Sequence, residues 1–329
     1  MKILITGGAG FLGQRLARAL LDRGQLMLDG RSSVITRLVL LDVVAAHDFG
    51  DPRVSALTGD IGDPAVLEAA IDTETQVIFH LAAIVSGQAE ADFDLGMRIN
   101  LDASRILLDV CRKRGHVPHV LLTSSVAAHG GALPAVVRDD TALHPQTSYG
   151  TQKAVAELLL ADYTRRGFLN GRGVRLPTIS VRPGRPNAAA SSFASGIIRE
   201  PLNGERAVCP VRDDARMWVL SPGKAVESMI RCVELERAAL GDWPILNLPG
   251  LSVSIRDMVD ALTEVCGAEV AARIDWVPDA RIERIVRSWP DACDPSRGHQ
   301  LGLEADRNFA DVIRAYIASQ PVAKAGAQA

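Results

Sequence analysis

The chain has 329 residues, 23% of them charged and 47% apolar, with a formal net charge of -3. That balance suits a folded protein with one large domain or two smaller ones, and it lacks the basic surplus of a nucleic-acid binder. No apolar run approaches the roughly 18 residues needed to span a bilayer, and the apolar residues before Gly7 are too few for a signal-peptide core, so a cytoplasmic protein without membrane partners is expected.

"KILIT" opens the chain and runs through a glycine-rich turn into the helical pattern "FLGQRLARALLDRG". "TRLVLLD", "RVSALTG", "QVIFHLA", "HVLLTSS" and "TISVRPG" then follow as short apolar runs with polar exits, each reading as a buried strand. A long helical stretch, "DLGMRINLDASRILLDVCRKRG", lies between the fourth and fifth of the six strands. Continuous apolar strands alternating with helices imply a parallel sheet covered on both faces. With right-handed crossovers this is an α/β, Rossmann-type doubly wound domain.

After Pro183 the rhythm changes. "RPNAAASSFASG" reads as a loop, and "IIREPLNGE" as a helix stopped by Pro201 and Gly204. A helix over about 222–236 and the strand "PILNLPG" are assigned to the large sheet domain, while short helices and the strand "RIDWVP" form a smaller C-terminal substrate lobe. The expected division is 1–182 plus about 221–249 for the cofactor domain, and 183–220 plus 250–329 for the lobe. Cys111, Cys209, Cys232, Cys266 and Cys293 show no C-x-x-C pairing and read as reduced thiols, with no metal expected.

In "ILITGGAGFLGQRLARAL", glycines at 7, 10 and 13 sit at a strand-to-helix junction. A glycine turn lets the backbone approach a pyrophosphate, and the helix N-terminus adds free N–H groups and the positive end of a dipole. The spacing has one residue more between the first two glycines than the usual dinucleotide fingerprint. Gly7, Gly10, Phe11, Leu12 and Gly13 are therefore the expected cofactor contacts. Asp42 ends "TRLVLLD" at the place where a carboxylate accepts ribose hydroxyls and repels a 2′-phosphate, which favours NAD over NADP. Further on, Tyr149 and Lys153 in "TSYGTQKAVAE" share one face of a helix. By itself that pair could equally be a packed ring beside a solvated ammonium.

Taken in order, "TGGAGFLG", Asp42, "GDI" around Asp60, "HLAA" at 80–83, "TSS" at 123–125, "SYGTQK" and "VRPG" at 181–184 resemble the extended short-chain dehydrogenase/reductase family. The resemblance covers the whole chain, strongly to about Pro183. It implies that Asp60 and Ile61 flank the adenine, that Leu81, Ala82 and Ala83 line the ribose and nicotinamide side, that Asn100 steadies the site, and that Pro183 lies against the nicotinamide. It also implies that Tyr149 is the general acid/base with Lys153 beneath it, and that Ser125 holds the reacting oxygen. A free tyrosine has a pKa near 10, so a neighbouring ammonium is expected to lower it.

"SSVAAHGG" has His129 where many nucleotide-sugar members carry tyrosine, and the lobe is short. "VRPGRPNAAASSFASGIIREPLNGE" is similar to members that oxidise a four-carbon sugar acid at C2 with NAD. A sugar-acid site needs a cation and hydroxyl partners. Ser86, Ser125, Tyr149, Arg185, Ser191 and Arg199 are the candidates, with Arg199 the first choice for the carboxylate and Arg185 the second. Arg216 is open between serving an anion and pairing with Asp213 or Asp214. A nucleotide-sugar epimerase or dehydratase and a non-catalytic NAD sensor are the competing readings, and a homodimer is a further expectation.

Overall fold

The computed structural model of the protein describes residues 1–185 and 189–320. In the first half, β1 (Lys2–Thr6) leads through the glycine loop into α1 (Phe11–Arg23), a hairpin of β2 (Gln25–Leu28) and β3 (Arg31–Val34), then β4 (Arg37–Asp42) and β5 (Val54–Thr58). There follow α2 (Pro64–Ala70), β6 (Thr75–His80), α3 (Ser86–Ala91), α4 (Phe93–Gly96), a π-helical stretch over Met97–Asp102 and α5 (Ala103–Arg114). β7 (His119–Ser125), α6 (Ser148–Arg165), β8 (Asn170–Leu176) and β9 (Thr178–Ile179) come next.

Beyond these lie α7 (Phe193–Leu202), β10 (Ala207–Cys209), β11 (Arg216–Leu220), α8 (Pro222–Glu234), β12 (Ile245–Asn247) and β13 (Leu251–Ser254). The chain ends with α9 (Ile255–Cys266), α10 (Ala268–Ala271), β14 (Ile274–Trp276), α11 (Ala280–Val286), α12 (Ser296–Gln300) and α13 (Phe309–Ala318).

The main sheet has seven strands in the order β12-β8-β7-β6-β1-β4-β5, and each neighbouring pair is parallel. Alternate residues feed two cores: Ile3 and Ile5 pack with α1 and α8 on one face, and Leu4 packs with α2 and α5 on the other. The chain winds one way through β1, β4 and β5 and the other way through β6, β7 and β8. The crevice of such a sheet opens at the carboxyl ends of the strands where the winding reverses, here β1 and β6.

Two features depart from the sequence reading. The crossover after α1 contains the β2–β3 hairpin, where a plain lengthening was expected. More consequentially, the strand beside β7 is β8, "NGRGVRL", and not "TISVRPG". Only Thr178 and Ile179 of the latter form a strand, and they pair with β11 in a separate three-stranded sheet. β8 escaped notice because it carries Arg172 and Arg175, both fully buried. Buried arginines are rare unless paired, so a local pattern reads them as surface.

The C-terminal lobe has its own apolar core. Residues of α7, α9 and α13 gather there with Val181, Met217, Val219 and Ile274. α8 and β12 stay with the large sheet, α8 in the core against α1 and β12 at the edge beside β8. Among the described residues no helix is long and apolar enough to cross a membrane. All five cysteines are free thiols, four of them buried and Cys266 half-buried.

Candidate active site

At the end of β1 the loop closes onto α1 without room for side chains. A Cβ on Gly13 would lie 2.2 Å from the carbonyl oxygen of Gly7. The helix start has no side-chain cap and no acidic residue in its first turn, which leaves its dipole for an external anion. Asp42 at the tip of β4 accepts the Ala9 N–H at 3.0 Å and the Val43 N–H at 2.8 Å, so its carboxylate is held against this loop. The cradle and the strand-end carboxylate fit a dinucleotide.

Asp60 is fixed by Arg98 at 2.7 Å and by the Gly62 N–H at 2.7 Å, and Ile61 beside it is buried. His80 ties the switch point together: Nδ1 meets Thr6 Oγ1 at 2.7 Å and Nε2 meets Ser104 Oγ at 3.0 Å. Burial, followed by the nearby Lys153 charge, pushes its pKa down to about 3. Asn100, buried on the π-helical stretch, clamps the Ile84 backbone (2.8 and 3.1 Å) and Gln152 on α6 (2.7 Å). It therefore positions the wall next to the cofactor loop and is absent from the cavity lining.

Ser125 ends β7, and its hydroxyl accepts the Ala127 N–H at 3.1 Å. The turn that follows abuts the start of α6 so closely that a Cβ on Gly150 would lie 2.2 Å from the Ala127 carbonyl oxygen. That approach brings Tyr149 to Ser125. Thr147 caps α6 by accepting the Gly150 N–H at 3.1 Å. One turn into the helix, Lys153 donates to the Thr123 carbonyl at 2.9 Å and lies 5.8 Å from the centre of the Tyr149 ring. Burial lowers the lysine pKa to about 8, against the opposing pull of Glu157.

Tyr149 departs from the sequence reading. Burial raises its pKa, and the charge that opposes this is Arg182, helped by the Ser125 hydroxyl. The desolvation cost outweighs the neighbouring cation, and Lys153 spends a hydrogen bond on Thr123.

A cavity of about 310 Å³ joins these parts. Gly7, Gly10, Phe11, Leu12, Gly13, Leu81 and Ala83 form one end, and Ser86, Ser125, Tyr149, Lys153 and Ser191 the other. Among the described residues, Asp42, Asp60, Ile61, Ala82, Pro183, Arg185 and Arg199 are not in its walls. Arg185 is exposed.

Arg199, the first choice for a carboxylate, is buried, pairs with Glu200 and donates to the Arg182 carbonyl at 2.8 Å. Its task is to hold the chain at Arg182. Among the wall residues that the sequence reading passed over are Arg182 and Trp289. Arg182 stood in the quoted "VRPG", but nothing local separated it from bystander arginines.

Arg216 bonds to Ser252 on β13 at 3.2 and 2.9 Å. Asp213 and Asp214, the partners in one of its two open readings, pair with Arg256 and Arg287, and the carboxylate near Arg216 is Asp257 at 3.8 Å. His129 is buried against Asn247 and Arg175, each at 3.1 Å, and burial followed by the Arg175 charge lowers its pKa to about 4. Arg175 in turn pairs with Glu157 at 2.8 Å, both fully buried, and Ser124 donates to the same carboxylate. A continuous polar layer thus runs behind Lys153.

The model of the NAD dependent epimerase/dehydratase family matches residues 3–221. The chain belongs to that family, and its cofactor is NAD. It is 60% identical to a D-erythronate dehydrogenase of Cupriavidus necator over 98% of this chain and 100% of the relative. It is 46% identical to a D-erythronate dehydrogenase of Haemophilus influenzae, over 96% of this chain and 99% of the relative. A crystal structure described as a nucleoside-diphosphate-sugar epimerase from Agrobacterium tumefaciens superposes with a TM-score of 0.91 at 41% identity, covering 97% of this chain and 94% of that one.

Proposed function

We propose that this chain is an NAD-dependent dehydrogenase that oxidises D-erythronate at C2 to the 2-oxo acid. The observation that carries the reading is that Ser125, Tyr149 and Lys153 line the same cavity as the glycine loop. The two curated relatives, similar along nearly their whole length, carry that name.

When bound, NAD supplies a hydride acceptor at its nicotinamide. The rest falls to the chain. Gly7, Gly10, Phe11, Leu12 and Gly13 cradle the phosphates, Asp42 takes the ribose hydroxyls, and Asp60 and Ile61 bound the adenine. Leu81, Ala82, Ala83 and Pro183 flank the rest of the cofactor. Ser125 donates to the C2 oxygen and holds it as charge develops. Tyr149 accepts the hydroxyl proton, so the C2–H bond can break with its electron pair leaving and a C2=O bond forming. Lys153, fixed under the ring through Thr123, supplies a positive charge to the phenolate. The products are the 2-oxo acid, NADH and one proton.

A nucleotide-sugar epimerase is the second reading, favoured by the likeness to the Agrobacterium structure. An epimerase reoxidises its cofactor within each turnover, whereas a dehydrogenase accumulates NADH. Incubation with NAD and D-erythronate, following NADH absorbance, separates them: stoichiometric NADH is expected, and none from D-erythronate defeats the proposal. An NAD sensor would have no need of the serine, tyrosine and lysine in one cavity.

A further inference from the structure

We infer that Arg182 is the residue that grips the substrate carboxylate, and that it thereby restricts this site to 2-hydroxy acids. The inference rests on the dehydrogenase reading above and adds the group that selects the substrate class.

Three observations lead to it. Arg182 is the only guanidinium among the described residues of the cavity wall, which it shares with Tyr149, Ser125, Ser191 and Trp289. Its position is built. The Arg182 N–H donates to Ser195 Oγ at 3.0 Å, its carbonyl accepts from Arg199 at 2.8 Å, and Nε donates to the Ile179 carbonyl at 3.0 Å. Its charge acts on the Tyr149 phenol and the phenol acts back on it, so the two heads lie within electrostatic reach inside the protein.

Substrate chemistry makes that proximity decisive. In a 2-hydroxy acid the carboxylate is one bond from the reacting carbon. When the hydroxyl sits at Tyr149 and Ser125, the carboxylate must lie a few ångströms away. A cation for it has to stand in the same cavity as the tyrosine, as Arg182 does. Arg199 is committed to Glu200 and Arg185 faces solvent. A nucleotide sugar carries its charge on a pyrophosphate several bonds from the reacting carbon and gains nothing from an arginine there. A planar guanidinium also matches a carboxylate with paired N–H donors, which a lysine cannot reproduce.

The test is steady-state kinetics of wild type, R182K and R182Q with D-erythronate and with its neutral amide, which keeps the C2 hydroxyl, alongside NADH binding by fluorescence. R182Q is expected to raise KM for the acid roughly 10- to 150-fold, the worth of a charge-assisted hydrogen bond, while the amide's KM and NADH affinity stay near wild type. R182K should recover part of the loss. The alkaline-rising limb of kcat/KM should also move to higher pH in R182Q, because a cation opposing the phenol's upward shift has gone.

An unchanged acid-to-amide preference in R182Q overturns the inference and leaves the dehydrogenase reading standing. If wild type ignores D-erythronate but oxidises another 2-hydroxy acid with the same Arg182 dependence, the D-erythronate assignment falls while the dehydrogenase chemistry and the inference stand. If wild type oxidises no 2-hydroxy acid, both fall. Should R182Q fail to fold, wild type alone decides: equal KM values for acid and amide would overturn the assignment.

Discussion

The two ends of the cavity are built from different materials. The end proposed for the cofactor is mostly backbone, a glycine loop and a bare helix N-terminus, with the Asp42 carboxylate outside the cavity wall and held to that loop by the Ala9 N–H. The end proposed for the reaction is side chains drawn from separate elements, with Ser125 from β7, Tyr149 and Lys153 from α6, and Arg182 from the segment entering the C-terminal lobe. Backbone recognition is sequence-tolerant, local and the same for any dinucleotide. Side-chain recognition is selective, but each group must be carried into place by packing and supported from behind. One family can therefore keep the first end and change chemistry by altering the second.

The sharpest way to divide the two ends is Tyr149→Phe. Turnover should fall roughly 10²–10⁴-fold, the usual worth of a positioned acid/base, while NAD affinity stays within a few fold. Activity above about a tenth of wild type would remove Tyr149 from the proton-transfer role.

A large effect is also expected from behind the reaction end. Glu157→Gln leaves Arg175 buried beside a neutral amide, and breaking a buried pair in this way costs about 3–5 kcal/mol. Urea unfolding should show that loss, and Lys153 should lose a charge that favours its protonated form. Stability within about 1 kcal/mol of wild type would mean the layer relaxes around the loss.

At the cofactor end, Asp42→Ala should narrow the preference for NAD over NADP by removing two ribose hydrogen bonds and the repulsion of a 2′-phosphate, roughly tenfold in the ratio of kcat/KM values. An unchanged ratio would assign cofactor choice elsewhere.

A further effect is global. His80 and His129 have pKa values lowered to about 3 and about 4, against roughly 6.5 in an unfolded chain. Between these values the unfolded state binds more protons than the folded one, so stability rises with pH and falls on acidification. From about pH 6.5 down to about 4, each of the two should withdraw up to about 1.4 kcal/mol per pH unit. His129→Asn should flatten this slope in thermal melts, and an unaltered slope would show that His129 is not buried neutral.

Much of this molecule was legible in the chain. The glycine loop, Asp42, "TSS" and the Tyr149–Lys153 pair each depend on contacts between near neighbours, or on one turn of helix or one strand end, and their spacing survives in the sequence. The parallel sheet was legible for the same reason, because strands buried on both faces read as unbroken apolar runs.

What only the tertiary structure decided involves charge taken out of water. "NGRGVRL" is an interior strand because Arg175 finds Glu157 on α6 and Arg172 finds the Leu235 carbonyl, partners that no local pattern announces. Among several arginines alike in sequence, packing placed Arg182 in the cavity wall, sent Arg199 to Glu200 and left Arg185 in solvent. An apolar residue's fate follows from its own transfer free energy, whereas a buried charge's fate depends on where its counter-charge lies, and only the folded chain supplies that.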